Sequence, residues 1–251
     1  MRTLRVISLI IIYMLIFSAN SFALGKRKSS DMTIPSLQDQ LGNFRKEQSS
    51  AQIPPEVKKT MEKAADELAQ ENIPAKSLSV GDKIPLFELP DATNRIVSIS
   101  AKLTEGPVVI SFYRGGWCPY CNLELRALQQ SLPNMKALGA SLVAISPGLP
   151  ETSIDTKKKH NLEFDVLSDI GNKIAHKFGI VFTLNTELQS VYKDFGIDLE
   201  KFNGDATHQL PVPATYIVDT NGTIVYSFVD TDYTKRLEPS IIISVLESLK
   251  K

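Results

Sequence analysis

Two cysteines occur in the 251 residues, Cys118 and Cys121, held in a single Cys-Pro-Tyr-Cys tetrapeptide. Side chains three apart on a helix lie on one face with Cα atoms about 5–6 Å apart, inside the window a disulfide requires. Such a pair can cycle between dithiol and disulfide with little backbone motion. One sulfur attacks a substrate, and the other resolves the mixed disulfide or sulfenic acid that results. A bridge closing so short a loop removes little chain entropy from the unfolded state, so the spacing speaks for redox chemistry over stapling. Other uses of the pair fit poorly. A covalent c-type haem needs histidine directly after the second cysteine, where Asn122 stands. A structural zinc needs four ligands, and His160, His176 and His208 fall at no recognised spacing. No metal and no cofactor is expected.

The elements around the pair set its chemistry. Pro107 to Tyr113 is a short, largely apolar, β-branched run and predicts a buried parallel strand. Pro119 to about Leu132 predicts a helix, with Leu123, Leu125, Leu128 and Leu132 on its apolar side, and Ala140 to Ile145 predicts a second buried strand. Strand, helix, strand in this order implies a right-handed parallel crossover. Cys118 then sits at the helix entrance, beside unpaired amide groups and the positive end of the helix dipole. A thiolate is stabilised there, and its pKa falls below the free value of about 8.5. Pro119 suits the first helical position, where a missing donor leaves nothing unpaired.

Downstream, Phe164 to Leu167 reads as a short strand and Lys173 to Phe178 as a short helix. Ala214 to Val218 and Thr223 to Val229 are strand-like runs separated by a turn containing Asn221-Gly222, the strongest local hairpin signal. A last helix spans Glu238 to Leu249. The expected class is α/β with a mixed central sheet flanked by helices. Upstream, residues 24–77 form a polar extension or linker in which Pro54-Pro55-Glu56 opens a helix. Ile53, Val57, Met61, Ala64 and Leu68 give that helix one apolar stripe, expected to pack on the main domain or on a second subunit.

Residues 1–23 read as a signal peptide, from Arg2 and Arg5 through the apolar run Val6–Phe17 to the small residues near Ala23. An uncleaved anchor facing outside the cytosol is the alternative. Either way the folded part is expected to be exported, with no stable membrane insertion once the segment is cleaved. Basic and acidic side chains balance at 28 each, which gives no reason to expect nucleic acid. The cluster Lys26-Arg27-Lys28 reads as solvated or topology-setting.

The stretch Phe112-Tyr113-Arg114-Gly115-Gly116-Trp117-Cys118-Pro119-Tyr120-Cys121 carries a family likeness, joined by Val166-Leu167-Ser168-Asp169, Ile174-Ala175 and Phe178-Gly179-Ile180. On these residues, Leu78 to Leu249 resembles the peroxiredoxins, the alkyl hydroperoxide reductase and thiol-specific antioxidant group of the thioredoxin superfamily. The tetrapeptide itself is the glutaredoxin version of the motif, and Trp117 before it is similar to thioredoxin. The resemblance implies a thioredoxin-like fold over 78–251. It also implies that Pro213 matches the superfamily's cis-proline, facing the cysteines across a cis Val212–Pro213 bond. About ninety residues separate Cys121 from Pro213, an insertion of peroxiredoxin length.

The family's proline, hydroxyl residue and peroxide-attacking cysteine fall on Arg114, Cys118 and Cys121, so only the last matches, and the family's second arginine would fall near Pro213, where none stands. The pattern is a hybrid of peroxiredoxin frame and thioredoxin-like dithiol. Thioredoxin logic assigns attack to an exposed Cys118, and peroxiredoxin alignment assigns it to Cys121. Arg114 supplies positive charge to either thiolate, or is a strand-end arginine in a surface ion pair. Trp117 covers the pair or simply packs. His208 precedes the Pro213 loop and is either near the site or an ordinary loop residue, and His160 and His176 are assigned to the surface. The resemblance implies a thiol-dependent peroxidase that reduces hydroperoxides through a Cys118/Cys121 cycle and is recycled by a thioredoxin-like protein, with a homodimer as one assembly. The alternatives are an exported oxidoreductase acting on protein disulfides and a redox-inert thioredoxin-fold binding module.

Overall fold

A computed structural model describes residues 35–49 and 53–250. The signal-peptide reading of residues 1–23 and the basic cluster at 26–28 lie outside the described residues.

The buried runs of the sequence form the centre. Strands β3 (Val108–Phe112), β4 (Ser141–Ser146) and β5 (Asp165–Ser168) pair in parallel, Val108 opposite Ser141 and Val143 opposite Asp165. Strand β8 (Ala214–Val218) lies antiparallel to β3, and β9 (Ile224–Val229) is antiparallel to β8, giving the order β5-β4-β3-β8-β9. Every side chain of β3 and β8 is buried, as expected of strands covered on both faces. The turn at Asn221-Gly222 closes the β8–β9 hairpin, with Gly222 at φ +82°, a backbone state glycine adopts without strain.

Alternation along the strands divides the core in two. Val109, Leu142, Ala144 and Ile217 face Leu125, Leu128, Leu132 and Met135 of helix α5 (Pro119–Ala137) and Ile242 and Leu246 of helix α10 (Pro239–Ser248). Ile110, Phe112, Val143, Ile145 and Tyr216 face the opposite side, against helices α4 (Ile99–Glu105) and α7 (Lys173–Phe178). Helix α5 continues through Pro133 to Ala137, beyond the end the sequence suggested at Leu132. Burial of Met135 against the sheet outweighs the hydrogen bond that a proline inside a helix forfeits.

The segment read as an extension carries α1 (Leu37–Ser49), α2 (Pro55–Gln70) and the short α3 (Ile73–Lys76). Leu37 and Leu41 of α1 are fully buried against α5. The α2 stripe of Ile53, Val57, Met61, Ala64 and Leu68 is half-buried throughout. Two small antiparallel pairs, β1 (Glu88–Pro90) with β2 (Ile96–Ser98) and β6 (Val181–Thr183) with β7 (Gln209–Pro211), flank the sheet. Helices α6 (Pro150–Lys159), α8 (Thr186–Asp194) and α9 (Leu199–Asn203) fill the long insertion.

Candidate active site

Strand β3 delivers Tyr113 and Arg114, and the pair Gly115-Gly116 then turns the chain into α5. A Cβ on Gly115 would collide with the Trp117 ring, and its φ of +149° suits glycine. Cys118 is the N-cap of α5, with Pro119 at the first helical position. Asn122 on the first turn donates from its side chain to the Gly116 carbonyl at 2.9 Å and pins the loop to the helix.

Both sulfurs are interior. Cys118 is 1% exposed and Cys121 is fully buried, so the exposed Cys118 expected by analogy with thioredoxin is corrected. Aromatic side chains and Arg114 close over it. The two thiols are hydrogen-bonded to each other and titrate as a pair. Burial opposes charge on Cys118, but the Cys121 hydrogen bonds and the charges of Arg114 and Arg236 outweigh it and bring the thiol down to about 6. Burial pushes Cys121 well above its ordinary value, helped by its bond to Cys118 and the negative charge there.

Arg114 is buried rather than engaged in a surface ion pair. Its Nη1 points at Cys118 Sγ at 4.0 Å, and its Nη2 donates to Tyr192 Oη. The guanidinium stacks among three rings, 5.0 Å from Trp117, 5.6 Å from Tyr192 and 4.6 Å from Tyr233. No carboxylate among the described residues forms an ion pair with it, and its Nε has no hydrogen-bond partner there. Trp117 is half-buried and meets Tyr192 edge-on at 5.6 Å, so it both packs and covers the site.

Sequence reasoning missed the second cation. Arg236, between β9 and α10, is 3% exposed and donates from Nη2 to Cys121 Sγ at 3.2 Å. Its Nε donates to Glu124 Oε2 at 2.5 Å, and its Nη1 donates to the carbonyls of Tyr233 and Lys235. The shorter sulfur contact is therefore at Cys121, although Cys118 holds the charge. The difference follows from burial and from the pairing of the thiols, which together keep Cys121 neutral, while among the described residues no carboxylate pairs with Arg114 beside Cys118. Burial pushes Glu124 up to about 7 against the pull of Arg236. Glu124 was legible in principle, three residues after Cys121 beside the buried Leu125. Arg236, more than a hundred residues away beside an apolar helix start, left no such signal.

The Val212–Pro213 peptide is trans, since the described residues contain no cis bond, and the cis expectation is corrected. Val212 is held by its N–H to the Ile180 carbonyl at 2.8 Å, which fixes the approach of β7 to β8. Pro213 lines a cavity of about 290 Å³ together with Arg114, Tyr192, Tyr233 and the α2 side chains Met61 and Leu68. His208 pairs with Glu200 at 3.3 Å in a separate cleft. His160 is half-buried, which corrects its assignment to the surface, and His176 is exposed.

Comparisons with known proteins place the chain in a family and a fold. The sequence model of the AhpC/TSA family matches residues 80–227. Chloroplastic peroxiredoxin Q of Oryza sativa subsp. japonica is 32% identical over 151 residues, covering 60% of this chain and 59% of the rice protein. Chloroplastic peroxiredoxin Q of Sedum lineare is 33% identical over 144 residues, 57% of this chain and 65% of that one. The match thus spans about three fifths of the length of these curated relatives. Among solved structures, the peroxidoxin BcpB of Mycobacterium tuberculosis superposes with a TM-score of 0.55 at 21% identity, over 69% of this chain and 99% of that one. The reduced 2-Cys peroxiredoxin of Plasmodium vivax gives 0.53 at 18% identity, over 69% and 82%. At these identities the likeness establishes the thioredoxin-like fold. The expectation of export, cleaved or anchored, is overturned: the curated relatives are chloroplastic proteins, and an organellar or cytosolic place fits them.

Proposed function

Because this chain belongs to the AhpC/TSA family, we propose that it is a thiol-dependent peroxidase in which Cys118 attacks and Cys121 resolves. The Cys118 thiolate attacks the terminal oxygen of a hydroperoxide. An S–O bond forms, the O–O bond breaks, and the alkoxide leaves as an alcohol after taking a proton. Cys121 then displaces hydroxide from the sulfenic acid and closes a Cys118–Cys121 disulfide, with water as product. A thioredoxin-type dithiol protein restores the pair by exchange. Peroxide enters from the cavity whose wall includes Arg114 and Tyr233.

The observation that carries this reading is the cation at Cys118: a buried arginine 4.0 Å from the sulfur, with no ion-paired carboxylate among the described residues. Such a charge holds the thiolate and then the departing oxygen. It takes over where the family's proline and hydroxyl residue are replaced by Arg114 and Cys118. The disulfide-exchange and inert-module alternatives have no comparable support among the relatives.

Single-turnover mixing of the reduced protein with hydrogen peroxide tests it. The expected result is rapid oxidation, abolished in Cys118→Ser and halted at a trappable sulfenic acid in Cys121→Ser. Oxidation no faster than that of a free thiol refutes the peroxidase, and sulfenic acid on Cys121 in Cys118→Ser reverses the roles.

A further inference from the structure

The attacking sulfur has a cation, and the resolving one has a cation with a carboxylate behind it. We infer that Arg236 and Glu124 form the proton-handling pair of the resolving step: Glu124 takes the proton of Cys121, and Arg236 holds the resulting thiolate for attack on Cys118. This deepens the reading above and rests on its assignment of Cys121 as resolving sulfur.

The geometry is continuous. Arg236 bridges Cys121 Sγ at 3.2 Å and Glu124 Oε2 at 2.5 Å, and all three side chains are buried. A buried carboxylate and guanidinium held only for stability are a poor investment, since a well-packed apolar pair of similar volume does as well or better. The pair also touches a reacting atom. Cys121 needs such help, because its thiol is the neutral member of the pair. Once Cys118 becomes a sulfenic acid, the negative charge that added to burial in keeping Cys121 protonated is gone, and Arg236 lies within hydrogen-bonding distance to stabilise the anion.

The step balances. Cys121 gives its proton to Glu124, its sulfur attacks Cys118 Sγ, the S–S bond forms and the S–O bond breaks. The departing hydroxide recovers the proton from Glu124 and leaves as water, with the carboxylate restored. The groups facing Glu124 are Arg236 from the loop before α10, Cys121 from its own helix and the Ser111 hydroxyl from β3, and Tyr113 acts on the neighbouring Cys121. Tyr113, pushed up to about 12 by burial, stays neutral through the range concerned. Glu124 itself, at about 7, takes and returns a proton near neutrality.

Trp117, the single tryptophan, reports on the site. Stopped-flow fluorescence of the reduced protein with hydrogen peroxide is expected to show one phase that scales with peroxide and a second, concentration-independent phase for disulfide closure. The closure rate in the native sequence rises as pH rises through about 7, where Glu124 becomes a carboxylate. In Glu124→Gln the closure slows about 100-fold and loses that inflection, while the first phase changes far less. Arg236→Lys, which keeps the charge, closes faster than Arg236→Gln. Closure at the native rate and with the native pH profile in Glu124→Gln overturns the inference, as does slowing confined to the first phase. A protein with no peroxide-dependent phase sinks the peroxidase reading instead. The Cys121 step is then read from the second thiopyridone released by dithiodipyridine, where the same variants must again be slow for the inference to stand.

Discussion

Arg114 is a cation placed where an anion has to come and go. A surface arginine would leave the sulfur to the helix terminus alone, worth about 0.3–1 kcal/mol at an exposed site. Here the guanidinium is stacked among Trp117, Tyr192 and Tyr233, dry and fixed, so its charge acts on Cys118 with little screening. The consequence is a measurable titration. Alkylation of Cys118 by iodoacetamide should accelerate as pH rises through about 6 and level off above it, because only the thiolate reacts. Arg114→Gln should move that midpoint up by about one unit, equivalent to about 1.4 kcal/mol. Arg114→Lys should recover only part of the shift, since an ammonium lacks the flat face that the three rings hold. An unmoved midpoint in Arg114→Gln would mean that the helix entrance and Cys121 suffice.

At the scale of elements, what could be read from the sequence was whatever obeyed a period or a turn rule. The largely apolar runs gave β3, β4 and β8 to within a residue, Asn221-Gly222 gave the β8–β9 hairpin, and Cys118-Pro119 gave the start of α5. The three-residue pairs β1–β2 and β6–β7 escaped because each strand is too short for alternation to register. Their stability is borrowed from contacts distant in sequence, such as the Leu184 N–H to His208 carbonyl bond at 3.1 Å beside the second pair. The site divided in the same way. Arg114 and the cysteines lie within eight residues at the entrance of α5, whereas Tyr192, Tyr233 and Arg236 converge only in three dimensions. The segment before Leu78 makes the sharpest element-level test. We propose that α1 is part of the domain and α2 a loosely held cover of the Arg114 cavity. Leu41→Ala, which empties a fully buried position, should cost about 2–5 kcal/mol in urea unfolding. Met61→Ala, on a helix with no buried residue, should cost less than about 1 kcal/mol. Equal costs would contradict the division.

Across the whole molecule, the buried charges near the sulfurs sum to a statement about redox state. Arg114 and Arg236 face Glu124 and one thiolate, and oxidation removes the thiolate, leaving Arg114 without an anion. Cys118 falls from an ordinary 9 to about 6 in the folded protein. A depressed acid contributes stability that is complete above the unfolded value near 9 and is lost as pH falls through about 6. At pH 7.5 the reduced protein therefore gains on the order of 2 kcal/mol from its thiolate. The four-residue disulfide loop gives the oxidised protein about 2 kcal/mol by restricting the unfolded chain, and that contribution does not depend on pH. The two forms should melt at similar temperatures near pH 7.5, the oxidised form higher toward pH 6 and the reduced form higher toward pH 9. Over that range the gap should swing by about 3 kcal/mol, or roughly 10 °C for a domain of this size. Circular-dichroism melts of both forms, the reduced one kept so by a phosphine, read the crossing directly. Cys118→Ser has no disulfide form, and the melting of its single form should lose the rise in stability with pH that this thiolate contributes. A gap that stays constant from pH 6 to 9 would show that Cys118 carries no charge in the resting protein, and Arg114 would then be a structural cation held by its rings alone.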